Sequence, residues 1–317
     1  MSTLRRTEWR AVGTTCAAAV TAAPHEEREV RWALGSAQEE VAACERELSR
    51  FDPSSDLSRL NTAAGRWTPV GPRLLEALGL ALRAREDTGG RFDPTVLPAL
   101  AAAGYDRSFD LLEERPAEEA DGWRAGTAIE LDERRGLARL EPGSAVDLGG
   151  IGKGYAAGRA LAAMRVISPG LAGGLVDLGG DIAVSGEPPE GGPWLIAVAD
   201  PRSAGRPLGV LALHTGGVAT SGRDARRFGP ARSLHHLIDP ETGESALAGP
   251  LTVTVVAPDP ATAEVHATTL AIAGPTEAER HVAARPMLSA LYLPQAGAPI
   301  RLGRLPLASQ RLVVTAA

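Results

Sequence analysis

Ala145-Val-Asp-Leu-Gly-Gly-Ile-Gly-Lys-Gly-Tyr155 is echoed thirty residues later by Leu175-Val-Asp-Leu-Gly-Gly-Asp-Ile182. Each copy reads as a short apolar strand that runs into an Asp and a Gly-Gly turn, and the first copy leads into a helix with Lys153 near its start. An alanine-rich helix lies between them, so strand, turn, helix, strand, turn would bring both glycine turns to one edge. Exposed backbone N–H groups beside a helix N-terminus bind phosphate well. An isolated Gly-Gly is more simply a tight turn packed on a sheet. The lysine and the repeat favour the floor of a nucleotide site.

Two familiar nucleotide motifs are excluded. A P-loop needs Gly five places before Gly152 and Ser or Thr after Lys153, but the chain has Asp147 and Gly154 there. The dinucleotide fingerprint needs a third Gly where Tyr155 stands.

Outward from this stretch, helices are expected over residues 30–50, 72–86 and 260–273, with a short helical turn after the Ser54-Ser55-Asp56 capping run. Gly89-Gly90 would stop the second helix. Strands are expected over 9–21, in a 129–131/137–140 hairpin, and over Trp194–Ala199, Leu208–Leu213, Leu251–Val256, Ala290–Leu293 and Leu312–Thr315. Residues 105–125, acidic and weakly periodic, read as a loop. Segregated helices and short strands point to an α+β fold. No linker cuts the chain, so 1–317 is expected as a single domain.

Composition narrows the function. The 317 residues are 44% hydrophobic and 23% charged with a net charge of −6, ordinary for a globular enzyme and unsuited to non-specific nucleic-acid binding. Cys16 and Cys44, the only cysteines, form no Cys-x-x-Cys and read as buried hydrophobes in a reducing compartment. Neither a lipoprotein-type apolar stretch before Cys16 nor a membrane span is evident, so a cytoplasmic location without membrane insertion is expected.

Three further constellations can carry chemistry. Ala219-Thr-Ser-Gly-Arg-Asp-Ala-Arg-Arg-Phe228 gathers hydroxyls and arginines in what reads as one loop. Its Thr220, Ser221, Gly222 and Arg223 suit a pyrophosphate, although a solvated arginine-rich turn is equally open. Leu234-His-His-Leu-Ile-Asp-Pro-Glu-Thr-Gly243 carries two of six histidines, beside Asp239, as a base or a structural pair. In Thr262-Ala-Glu-Val-His-Ala-Thr-Thr-Leu270, Glu264 and Thr268 share one helix face and can offer two oxygens to Mg²⁺, whereas His266 projects elsewhere. A Glu at that spacing from Thr is also a common surface pair.

Taken together, Trp9 and Gly13-Thr14, Ser54 to Asn61, Gly90 to Val96, Asp147 to Tyr155, Asp177 to Asp181, Thr220 to Arg227, His235 to Gly243 and Thr252 to Leu270 resemble the ApbE-type flavin transferases in the family's order. The resemblance implies a two-lobed, T-fold-related α+β architecture of mixed or antiparallel sheets and packed helices. It implies a protein that cleaves the pyrophosphate of FAD with Mg²⁺, attaches FMN through a phosphoester to a threonine of an acceptor flavoprotein, and releases AMP. On the flavin nucleotide it implies Phe51, Ser54, Asp93, Thr95, Asp147, Gly149, Lys153, Gly180, Asp181, Thr220, Ser221, Gly222, Arg223 and Asp239. It implies Gly150, through its carbonyl, with Glu264 and Thr268 on the metal, and His236 with Lys153 in catalysis. Glu264 stands where the family usually has Asp, Phe51 where many members have Tyr, and Gly158 where Asp is frequent. Those departures leave open an FAD pyrophosphatase that yields FMN and AMP, or a non-catalytic FAD-binding or storage protein.

Overall fold

The strand region expected over residues 9–21 is the greater part of a hairpin. Strand β1 (Thr3–Ala11) pairs antiparallel with β2 (Thr14–Ala22) across Val12 and Gly13, both at positive φ, 45° and 70°. Such a turn matches the right-handed twist of the strands. β1 is the sheet edge, and its Arg5, Arg6, Glu8 and Arg10 discourage addition of another strand. The computed structural model describes residues 2–112, 117–118, 120, 122–203, 205–223 and 227–308, so the strand expected over Leu312–Thr315 lies outside the described residues.

Helix α1 (Glu27–Leu48) buries Val30, Ala33, Ala37, Val41, Cys44 and Leu48 at three- and four-residue spacing. Ser55 caps α2 (Asp56–Thr62), its Oγ accepting the Ser58 N–H at 3.0 Å. After the short β3 (Thr68–Pro69), α3 (Pro72–Asp87) ends where Gly90 donates back to the Arg85 carbonyl at 2.8 Å. The short α4 (Leu97–Ala102) follows, and β4 (Ile129–Asp132) and β5 (Leu137–Leu140) form the expected hairpin, with β3 added on the far side of β5.

The remaining elements run α5 (Gly152–Ile167), β6 (Gly173–Leu178), β7 (Ile182–Gly186), β8 (Trp194–Val198), β9 (Gly209–Leu213), β10 (Thr215–Gly222), β11 (Arg227–Phe228) and β12 (Leu234–His235). They close with β13 (Thr252–Ala257), α6 (Pro260–Ala271), α7 (Pro275–Ala283), β14 (Ser289–Leu293) and β15 (Ile300–Leu302). The main sheet has the order β1-β2-β6-β7-β10-β13-β14-β15, antiparallel throughout, so the fold is α+β. α5 packs between α1 and the β6–β7 strands, and α6 lies on β10 and β13 with its N-terminal half against α5. Among the described residues no helix is long and apolar enough to cross a membrane.

Two expectations are corrected. The first glycine copy is not a strand, because Asn61 takes both backbone groups of Val146, at 2.8 and 2.9 Å, and Asp147 N–H donates to the Pro94 carbonyl at 2.8 Å. Its hydrogen bonds are met by a side chain and a loop, so no ladder forms. Residues 219–222 are not a loop but the end of β10, with Thr220 opposite Thr254. Glycines and hydroxyls hide this strand, since Gly217 lies where a Cβ would collide with the Pro260 backbone at the start of α6.

Candidate active site at the two glycine turns

Each Asp of the repeated Asp-Leu-Gly-Gly ties down its own turn. Asp147 Oδ1 accepts the Gly149 N–H at 2.6 Å, and Asp177 Oδ1 accepts the Gly180 N–H at 2.7 Å. Gly150 needs to be glycine for contact rather than φ. A Cβ there would stand 3.0 Å from Thr268 Oγ1 and 3.1 Å from the Phe92 ring, so its backbone lies directly against α6. At Gly154 the start of α5 crosses the start of α6 so closely that a side chain would strike the backbone of Pro260 and Ala261.

That crossing delivers Glu264 to the N-terminus of α5. Its Oε2 accepts the Gly154 N–H at 2.8 Å, one of the helix's otherwise unpaired donors, and its charge opposes the helix dipole favourably. Lys153 Nζ lies 2.5 Å from Glu264 Oε1 and also contacts Asp181 Oδ2, from the second copy. The two carboxylate side chains are only 3% and 4% exposed. Burial draws the Lys153 pKa down, but Asp181 and Glu264 outweigh it and hold the ammonium charged. Burial raises the Glu264 pKa, Lys153 opposes the rise, and Asp181 adds to it. Two buried carboxylates thus share one cation.

This donor set fits Mg²⁺. Glu264, Asp181, Thr268 and the Gly150 carbonyl offer only oxygen, the hard donor such an ion selects. Two buried carboxylates face a single ammonium, and Gly150 leaves Thr268 Oγ1 uncovered by any Cβ. Among the described residues no group of three His, Cys, Asp or Glu gathers that could hold a metal.

An aromatic platform adjoins the first turn. Arg50, which the sequence did not single out, bonds Asp147 Oδ2 through Nε at 2.5 Å, and its guanidinium carbon lies 4.1 Å from the Phe51 ring centre and 4.7 Å from that of Tyr105. Phe51 remains 42% exposed. Ser54 is turned into its own loop, with Oγ and N–H both on Asp52 Oδ1 at 2.7 and 2.8 Å. Asp93 is buried beneath this region, accepting the Thr95 N–H and hydroxyl at 2.8 and 2.7 Å and the Gly126 N–H at 2.6 Å. It also lines a cleft of about 270 Å³ with Arg85, Arg91 and Glu241. Gly158 lines another, of about 390 Å³, with Arg165, Ser185 and Asp259.

The third group lies on β10 and the turns after it. Thr220 Oγ1 pairs with Thr254 Oγ1 at 2.8 Å on the sheet surface, and Ser221 and Gly222 continue that pairing with β13. Arg223 spends its guanidinium on three successive carbonyls, Ala246, Leu247 and Ala248, at 2.5, 3.1 and 2.7 Å. Here it clamps a loop. His235 is buried, with Nε2 on the Ala246 carbonyl at 2.9 Å and Nδ1 accepting the Leu237 N–H at 3.3 Å, and burial lowers its pKa. His236 follows it half-buried. Asp239 holds the next turn through the Glu241 N–H at 3.0 Å, and Gly243 in that turn lies against Trp123, whose Nε1 donates to the Thr95 carbonyl at 3.1 Å. Phe228 joins this region to the platform through Tyr105, ring centres 5.6 Å apart.

The sequence model of the ApbE family matches residues 12–292. The FAD:protein FMN transferase of Klebsiella pneumoniae is 29% identical over 254 residues, covering 77% of this chain and 72% of that protein. The Treponema pallidum protein of the same name is 31% identical over 247 residues, 72% of this chain and 67% of that one. The crystal structure of the Thermotoga maritima ApbE protein superposes with a TM-score of 0.82 at 26% identity, covering 94% of this chain and 97% of the other. The Vibrio cholerae flavin transferase ApbE shares the fold, with a TM-score of 0.78 at 21% identity over 95% of this chain and 98% of the other. The chain belongs to the ApbE family. It is an enzyme of the transferase class.

Proposed function

We propose that this protein transfers FMN from FAD to a threonine hydroxyl of an acceptor flavoprotein, with Mg²⁺ in the site, as one domain with two lobes. The observation that carries the proposal is the meeting of Lys153, Asp181 and Glu264 at the N-terminus of α5, with Thr268, one turn along α6 from Glu264, against Gly150. Backbone amides at a helix start, an ammonium held between two buried carboxylates and hard oxygen donors suit a pyrophosphate with its cation. When bound, Mg²⁺ would supply charge neutralisation at the phosphate oxygens, held by Glu264, Thr268 and the Gly150 carbonyl.

In the reaction, the threonine oxygen forms a bond to the FMN-side phosphorus as the bond from that phosphorus to the bridging oxygen breaks, and AMP leaves with that oxygen. Lys153 counters the charge that grows on the phosphates. The threonine proton passes to His236. Its neighbour His235 is committed to Ala246 and Leu237, whereas His236 lies half-buried at the bend that follows β12. Phe51 offers an exposed ring for a planar part of the dinucleotide. A cytoplasmic setting suits the two buried, unpaired thiols of Cys16 and Cys44.

The test is to incubate the protein with FAD and Mg²⁺, with and without a threonine-bearing acceptor, and follow AMP, free FMN and acceptor mass. The acceptor gaining one FMN in step with AMP release is the expected result. AMP with free FMN, undiminished by any acceptor, would make the protein a pyrophosphatase, and bound FAD without AMP would make it a storage protein.

A further inference from the structure

We infer that Arg50 is a positioning residue for the dinucleotide, locking the Phe51 ring and the first glycine turn into one rigid surface. The inference rests on the reading of FAD as the substrate. Arg50 has a side chain only 7% exposed, and it lies between the exposed Phe51 ring and the first glycine turn. Its guanidinium carbon sits over Phe51 at 4.1 Å and over Tyr105 at 4.7 Å, its Nη2 donates to the Tyr105 carbonyl at 3.1 Å, and its Nε holds Asp147 at 2.5 Å. Asp147 passes the restraint on, through the Gly149 N–H at 2.6 Å and the Pro94 carbonyl at 2.8 Å.

No shorter or non-planar cation can make this set of contacts. The fork reaches a carboxylate and a carbonyl while the plane stacks on two rings, a geometry an ammonium lacks. An exposed phenylalanine would otherwise sample several rotamers and pay that entropy on each binding event. With Arg50 beneath it, the ring is already placed. A planar heteroaromatic group on Phe51 is therefore held in register with a pyrophosphate on the Gly149–Gly150 turn.

The experiment uses the full chain with Arg50→Lys, Phe51→Leu and the double variant. It measures FAD affinity by flavin fluorescence, KM and kcat for AMP release, and thermal unfolding. Arg50→Lys is expected to weaken FAD binding and raise KM about tenfold, a 1.4 kcal/mol effect within the cation–π and fork range, with kcat within about twofold. The double variant should be no worse than the worse single, because both disturb one platform. Wild-type affinity in a folded Arg50→Lys protein, additive losses in the double variant, or a fall in kcat at unchanged KM would each overturn the inference. Should Arg50→Lys fail to fold, Phe51→Leu decides: a tenfold rise in KM supports the platform and no rise overturns it. If the wild type neither binds FAD nor releases AMP, the functional reading falls and this inference with it, whereas losses seen only in kcat sink Arg50 alone.

Discussion

The two Asp-Leu-Gly-Gly copies are identical in sequence and opposite in setting. In the second, residues 176–178 are the end of β6, paired between β2 and β7, and Gly179 and Gly180 turn the chain at φ of 70° and 97°. The first has no ladder at all and is held by Asn61, Pro94 and Arg50. Asp147 has a cation against it, while Asp177 has none among the described residues, and burial with the nearby Asp181 raises its pKa. A short motif therefore does not dictate its backbone; the groups that meet its N–H and C=O do. The residues just beyond each copy give the pair its chemistry. Lys153 comes after the first and Asp181 after the second, and the fold brings them into contact over Glu264.

The largest effect is expected from breaking that meeting. Glu264→Ala should lower Mg²⁺-dependent AMP release by about a thousandfold while leaving FAD binding partly intact, as for loss of some 4 kcal/mol of transition-state stabilisation. Unchanged turnover would remove α6 from the metal site. Next, Lys153→Met leaves Asp181 and Glu264 buried without their cation and should destabilise the fold by about 3 kcal/mol. Thermal unfolding would register this, and millimolar Mg²⁺ should restore part of the loss. An unaltered melting temperature would mean that the carboxylates do not depend on the ammonium.

The comparison itself is sharpened by Asp147→Asn and Asp177→Asn. The first strips a buried arginine of its counter-charge and should cost about 1–2 kcal/mol. The second keeps an acceptor for the Gly180 N–H and should cost less than about 0.5 kcal/mol. Equal costs in denaturant unfolding would show that the two copies are electrostatically alike.

A pH-dependent effect concerns His266, between Glu264 and Thr268 on α6. His266 Nδ1 lies 3.0 Å from His281 Nε2, with Asp87 and Arg285 around them, and burial lowers both histidine pKa values to about 4. The unfolded chain binds protons that the folded pair refuses, so stability is complete above about pH 6.5 and falls as pH drops toward 4. Between pH 7 and 6 the loss should be on the order of 1 kcal/mol. His281→Gln should flatten the slope of melting temperature against pH, and an unchanged slope would place the titrating groups elsewhere.

Much of this molecule was legible in the sequence. Helices α1, α3 and α6, the Ser55 cap and the β4–β5 hairpin follow from local periodicity and capping chemistry. The pairing of Glu264 with Thr268 is legible as a helix face, whereas the burial of Glu264 is not legible from that spacing. A signal was present, since α6 is apolar nearly all round and such helices are buried on every side. Arg50 was not legible, because Tyr105 and Asp147 lie 55 and 97 residues away and meet it only in the folded sheet–helix arrangement. β10 was hidden for a related reason. Its glycines answer to the close passage of α6 rather than to a turn.

The most direct test of the account is to locate the metal. Crystals grown with FAD and Mn²⁺ in place of Mg²⁺ should show an anomalous peak within ligand distance of Glu264 and Thr268, with the pyrophosphate against Gly149 and Gly150. A peak and pyrophosphate in the cleft lined by Arg85, Arg91 and Glu241, with Lys153 still enclosed by its two carboxylates, would contradict it.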